Sequence, residues 1–350
     1  MTPDPARIAQ LTGLMEEHGW DRLLFYGNAW RKDFFRYVLN VNFSGPYAIA
    51  ILDRSGEVSA VVSHPWDAEL LPDVGRAILP AAGFPAGSVA VAGLELMDAG
   101  LVHSLGAAPA SATAAVEELR RVKSPEEIAA LRRAAALADK GYAYFAQTVE
   151  PGMAEFELVA EVEGFLKSNG AEDNFMLIAS GGTEVVGMKP PTERRFQTSD
   201  QITTELTPQI DGYYAQICRT LVLGEPNAAQ RQAFAIFQEA QRAAEDLLKP
   251  GVDIADVARV QNDVFRRCGY GEYTGPKYTR VRGHNLGLHP DENPYVLEDV
   301  HYTVKENMAI IAHPNTYLPL SGYMVFGDTL LVTHDGCEPL NKAERKLFQR

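Results

Sequence analysis

The segment VEELRRVKSPEEIAALRRAAALADKGYAYFAQTV, which begins at Val116, constrains the fold more than any other stretch of this chain. Ser124 and Glu127 form a capping-box pattern and Pro125 takes the favoured first helical position, while Ile128, Leu131, Ala135 and Leu137 fall near helical spacing. A long helix is predicted to start here and to open a second domain. The length agrees, because 350 residues with 46% hydrophobic content exceed what one core usually gathers. The expected division is an N-terminal α/β domain over residues 1–118 and a larger domain over 119–350.

Before that helix the pattern alternates between helix and strand. An amphipathic run from Ile8 to His18 precedes apolar runs over Arg22–Tyr26, Tyr47–Asp53 and Val58–Ser63. Asp53, Arg54, Ser55 and Gly56 between the last two read as a hairpin turn. Further strand-like runs end near Val91, and Ala-rich sequence continues to about Ala115. In the second domain a helix is predicted after Pro151 and Gly152, then strands over Phe175–Ala179, Ile202–Leu206 and Tyr213–Leu223, then a helix from about Ala228 to Leu248.

Several classes are excluded or disfavoured by composition. A formal net charge of -14 without a compensating Lys and Arg run opposes nucleic-acid binding. No apolar stretch is long enough to span a membrane, and the start MTPDPARIAQ lacks a secretory pattern, so a cytoplasmic protein is expected. Cys218, Cys268 and Cys337 are odd in number and widely spaced, which predicts buried thiols rather than disulfides or a metal knuckle.

Five segments, in order, resemble the creatinase, prolidase and aminopeptidase P family: ELRRVKSPEEI, ITTEL to AQICRT, LLKPGVDIADV, RGHNLGLHPDENP, and ENMAIIAHPNTY with GDTLLVTHDGCEPL. The resemblance implies a pita-bread fold, two pseudo-symmetric halves around a central site, preceded by a smaller α/β domain. It also implies a homodimer and a small-molecule substrate. Metal-containing members hold two ions about 3.5–4 Å apart with two aspartates, a histidine and two glutamates. Those positions fall here on Glu205, Gln216, His284, His313 and Gly327, and the histidine that precedes the first aspartate falls near Met188. Only His284 is identical and only Glu205 keeps the charge, so no metal cofactor is expected.

Creatinase, which the resemblance includes, hydrolyses a guanidino C–N bond without metal. The chain is accordingly expected to be a metal-independent hydrolase of a non-peptide C–N bond, with His284, His313 and Glu205 as catalytic groups. Gln216, Tyr213, Asp291 and Glu292 are expected to contact substrate. Lys189, Arg280 and Arg282 suit a carboxylate on that substrate, beside Met188. Glu205 could instead pair with Arg219, and His289, His301 and His334 read as core residues. Arg31, Lys32 and Arg36, interleaved with Trp30, Phe34, Phe35 and Tyr37, form a basic aromatic cluster that suits capture of a carboxylate-bearing substrate or, equally, a solvated or interdomain face. Two alternatives stand beside this reading. The first is a noncatalytic binding protein, and the second a single-metal hydrolase or lyase using Glu205, His284 and His313, including a residual Xaa-Pro peptidase.

Overall fold

A computed structural model describes residues 4–71, 75–78, 87–106 and 108–350. The chain divides into two compact units, Met1–Arg121 and Val122–Arg350. Residues 72–74, 79–86 and 107, which include parts of the expected apolar runs and Ala-rich stretch, lie outside the described residues.

In the first unit, helices α1 (Pro5–His18), α2 (Asp33–Val38), α3 (Pro65–Leu70), α4 (Ala99–Ser104) and α5 (Thr113–Arg121) surround a six-stranded sheet. Its strands are β1 (Arg22–Asn28), β2 (Tyr47–Asp53), β3 (Val58–Val62), β4 (Gly75–Ile78), β5 (Val89–Ala92) and β6 (Ala110–Ser111), in the order β4-β3-β2-β1-β5-β6. The Asp53–Gly56 turn closes the β2–β3 hairpin, with Asp53 Oδ1 accepting from the backbone of Ser55 and Glu57. The basic aromatic cluster is no solvated face. Phe34, Phe35, Arg36 and Tyr37 are buried, and buried Asp33 pairs with buried Arg120 and half-buried Arg31, which hold its carboxyl well below the usual range. Trp30 alone stays on the surface, 93% exposed.

The second unit begins with α6 (Pro125–Thr148), whose capping box forms as the sequence predicts. There follow α7 (Glu155–Ser168), strands β7 (Asp173–Gly181), β8 (Gln201–Ile210), β9 (Tyr213–Tyr214) and β10 (Ile217–Val222), and helices α8 (Ala228–Leu247) and α9 (Ile254–Arg267). Strands β11 (Gly283–Asn285), β12 (Glu292–Tyr295), β13 (Ala309–Ala312), β14 (Thr316–Leu318), β15 (Gly322–Met324), β16 (Gly327–Val332), β17 (Cys337–Pro339) and β18 (Phe348–Gln349) complete it. The main path of the large sheet runs β12-β11-β13-β16-β10-β8-β7.

Two helix pairs cover this sheet, which is the pita-bread arrangement. Leu137, Tyr142 and Phe145 of α6 with Leu158 and Val162 of α7 pack on Ile178, Ile202, Leu206, Ile217 and Leu221. Ala244 of α8 and Ile254, Val257 and Ala258 of α9 pack on Ile310, Ala312, Leu330 and Val332. Side chains alternate across a strand, so these contacts settle which residues face the other way. Thr203, Glu205, Cys218, Gly327 and Ile311 belong to that opposite, inner face.

The same parity separates Glu205 from Arg219. Arg219 sits on the helix side beside Ile217 and Leu221, where its Nη2 lies 2.7 Å from Asp328 Oδ1, both side chains fully buried. The alternative pairing of Glu205 with Arg219 is thus replaced by Arg219 with Asp328. Of the cysteines only Cys218 is buried, whereas Cys268 is exposed and Cys337 intermediate.

Candidate functional site

Strand register assembles the site from distant segments. Glu205 on β8 is directly opposite Cys218 on β10, and Cys218 is opposite Gly327 on β16. His284 on β11 is opposite Ile311 on β13, and His313 follows that strand two residues later, on the same face. The His284 and His313 rings lie 5.4 Å apart at 66°. Asn315, two residues beyond His313, donates from Nδ2 to Glu205 Oε1 at 2.7 Å.

Each side chain is tuned by burial. Removal from water lifts the Glu205 carboxyl to about 7, against hydrogen bonds from the Cys218 thiol and the Asn315 amide that favour its charged form. Burial, reinforced by His284, brings His313 down to about 3. His284 is also lowered by burial, with Asp291 acting in the opposite sense. Both imidazoles are therefore neutral at pH 7. His284 Nδ1 is 2.9 Å from the carbonyl oxygen of Asn285, which can only accept, so Nδ1 carries the proton and Nε2 keeps its lone pair. His313 Nδ1 is buried without a hydrogen-bond partner.

The other sequence-selected residues lie around this centre or apart from it. Gln216 is buried, and its Nε2 donates to Cys218 Sγ at 3.4 Å. Asp291 Oδ1 comes within 3.6 Å of His284 Nδ1. Glu292 anchors its loop instead, with Oε2 3.2 Å from both Lys123 Nζ and Asn285 Nδ2. Tyr213 is turned to α6, its hydroxyl donating to Glu127 Oε1 at 2.9 Å. Arg280 is exposed and pairs with Asp299. Arg282 is wholly buried, its Nη1 donating to the carbonyls of Thr279 and Asn315, and burial lowers it to about 10. Met188 and Lys189 belong to the loop after β7.

Three histidines read as core residues are not buried. His301 pairs with Asp253 at 2.6 Å, His334 approaches Glu306 at 3.7 Å, and His289 bonds the Asp291 carbonyl at 2.8 Å. Sequence reasoning missed Asn315, Cys218 and Tyr323. The Tyr323 hydroxyl is 3.0 Å from Thr279 Oγ1, and burial, reinforced by Glu205, pushes it up.

Residues 129–334 match metallopeptidase family M24. The chain belongs to that family. Among similar M24 proteins is the Xaa-Pro dipeptidase of Pyrococcus furiosus, 32% identical over 235 residues, which are 67% of this chain and 66% of that protein. A probable dipeptidase PepE of Mycobacterium tuberculosis is 29% identical over 250 residues, 71% of this chain and 66% of the relative. The chain thus aligns with slightly less than two thirds of each relative's length. Prolidase from Pyrococcus horikoshii superposes with a TM-score of 0.84 at 23% identity, covering 98% of this chain and 99% of that one. X-Pro aminopeptidase from Thermotoga maritima gives 0.85 at 21% identity, covering 98% and 99% respectively, and these two likenesses establish the fold.

M24 membership corrects two expectations. Relatives named as dipeptidases overturn a creatinase-like cleavage of a non-peptide C–N bond, and a metallopeptidase family overturns the expectation of a site without a metal cofactor. The side chains present nevertheless do not compose a carboxylate-bridged pair of ions. Among the described residues no group of three or more His, Cys, Asp or Glu is arranged to hold a metal. At Gly327 even a Cβ would lie 2.3 Å from the Ala312 carbonyl oxygen and 2.7 Å from His313 Cβ, so this backbone admits no side chain there.

Proposed function

We propose that this chain hydrolyses short peptides of the Xaa-Pro kind, with Glu205 as the group that moves the proton. The observation that supports this most is that the segment matching M24 carries Glu205, His284 and His313 to one inner face, with Glu205 raised to about 7. A carboxyl poised there exists in both forms at neutral pH, which is what a group acting first as base and then as acid requires. In this reading the Glu205 carboxylate takes a proton from water as the water oxygen adds to the peptide carbonyl carbon. Glu205 then returns that proton to the prolyl nitrogen as the C–N bond breaks, leaving a free acid and a free imino acid. The lone pair on His284 Nε2 accepts a hydrogen bond from the attacking water and orients it.

Proline release from Ala-Pro tests this reading, assayed on protein as purified and after dialysis against manganese, cobalt or zinc. Turnover that is lost in Glu205→Gln supports it. A second reading, a peptide-binding protein without turnover, is favoured by the closed backbone at Gly327. Binding of Ala-Pro with no proline release under any of these ions would establish that one instead.

A further inference from the structure

Lys123 carries a buried charge that the chemistry described above does not use. It stands two residues before α6, pinned at its backbone, where its N–H donates to the Asn307 carbonyl at 2.9 Å. Its side chain is 1% exposed, and its Nζ lies 3.2 Å from Oε2 of Glu292, itself 10% exposed. This approach needs a glycine at 287, because a Cβ there would lie 2.6 Å from Nζ and 3.2 Å from the same oxygen. Charges removed from water in this way are held together by the cost of leaving either one unpaired.

Glu292 passes the restraint on to His284. The oxygen that faces Lys123 also accepts from Asn285 Nδ2 at 3.2 Å, and Oε1 accepts the His289 backbone N–H at 3.1 Å. One carboxylate thus ties the end of β11 to the turn that follows it. From the other side, the Tyr214 N–H donates to the Gly287 carbonyl at 2.7 Å. Two oxygens of this tied segment face His284 Nδ1, the Asn285 carbonyl at 2.9 Å and Asp291 Oδ1 at 3.6 Å. Their placement keeps the proton on Nδ1, and a partner that fixes one ring nitrogen decides what the other can do.

We infer that Lys123 is a positioning residue for His284, acting through Glu292 to fix the tautomer that presents the Nε2 lone pair to the inner face. The inference rests on the proposed hydrolysis for what that lone pair does. The tautomer itself is read without substrate, so the two can fail separately.

Nitrogen-15 NMR of histidine-labelled protein at pH 8 reads the tautomer, with the His284 signals assigned by their loss in His284→Ala. In the native protein Nδ1 is expected at the shift of a protonated ring nitrogen. Lys123→Met strips the counter-charge from Glu292, whose carboxylate then leaves the interior and releases Asn285 and the turn. The Nδ1 and Nε2 shifts are expected to move towards each other as both tautomers become populated. Gly287→Ala keeps every charge, but its Cβ displaces the flexible end of Lys123, and it should move the shifts in the same direction. Gly287 lies outside the left-handed region, so this variant should melt near the native temperature and decides the matter if Lys123→Met does not fold. Proline release from Ala-Pro by Gly287→Ala is expected to fall roughly 10–100-fold in kcat with KM unchanged. Unmoved His284 shifts in a folded variant, or moved shifts with kcat undiminished, overturn the inference. Moved shifts in the variants of a protein that natively releases no proline leave Lys123 its positioning role and overturn the hydrolysis.

Discussion

Asn315 Nδ2 lies 2.7 Å from Glu205 Oε1, while Asn315 Oδ1 accepts the Phe326 backbone N–H at 3.2 Å. The amide thus bridges the inner carboxyl to the segment leading into β16, and the backbone carbonyl oxygen of the same residue is held by Arg282 Nη1 at 2.9 Å. A hydrogen bond to an ionised group contributes about 1.5–3 kcal/mol. Replacing Asn315 with Ala is expected to lower stability at pH 8 by about 2 kcal/mol, and by less at pH 5, where Glu205 is protonated. Urea denaturation at the two pH values checks this. Equal losses at both would show that the amide acts through Phe326 alone.

The Glu205 carboxyl gives stability a defined pH dependence. Its folded value of about 7 exceeds the ordinary 4.5, so the folded state binds this proton more tightly than the unfolded state. The contribution is therefore full below pH 4.5 and is lost as pH rises towards 7. The change amounts to about 3 kcal/mol across that window. Glu205→Gln removes it, so the stability of this variant relative to the native protein should rise from pH 4.5 to 7 and then level off. A flat difference across the range would mean that the carboxyl is not raised.

His284 and His313 are expected to differ in effect. Loss of His284 Nε2 as the acceptor that orients the attacking water should reduce proline release by roughly 10²-fold, the scale of a misplaced reactant, in His284→Ala. His313, neutral and with its Nδ1 unpartnered, should give a smaller loss in His313→Ala, visible mainly in KM for Ala-Pro. Steady-state kinetics of the two variants decide the matter, and the reverse order would exchange their roles.

Breaking the buried Arg219–Asp328 pair should be costly although it is remote from the chemistry. Leaving a buried charge without its partner costs about 3–5 kcal/mol, and here Arg345, 2.8 Å from Asp328 Oδ2, offsets part of it. Arg219→Met is expected to lose about 2–3 kcal/mol by urea denaturation, below that range by the share Arg345 offsets. An unchanged midpoint would show that Arg345 alone neutralises Asp328.

Much of this architecture was legible because local and long-range signals agree. The Ser124 capping box and the apolar spacing of α6 name a helix without reference to anything else. The run from Tyr213 to Leu223 was harder, since the chain leaves the strand at Ala215 and Gln216 before β10 begins. Ionic partners were the least legible. Alternation along β10 puts Arg219 on the helix side, but a sequence does not reveal that Asp328 awaits it there. Arg31 and Arg36 look like a basic surface until the burial of Asp33 is known. Asn315 follows a His-Pro pair and reads as a turn residue, although the fold turns its amide onto Glu205. Surface histidines such as His301 and His334 carry no periodic signature that distinguishes them from His284.

The close approach of the Ala312 carbonyl oxygen to Gly327 works as a steric seal on the inner face. A residue with a Cβ introduced at position 327 would have to push β13 and β16 apart, so a carboxylate cannot be installed there by single substitution without destabilising the sheet. Re-engineering of this site is thereby confined to the groups already on the inner face.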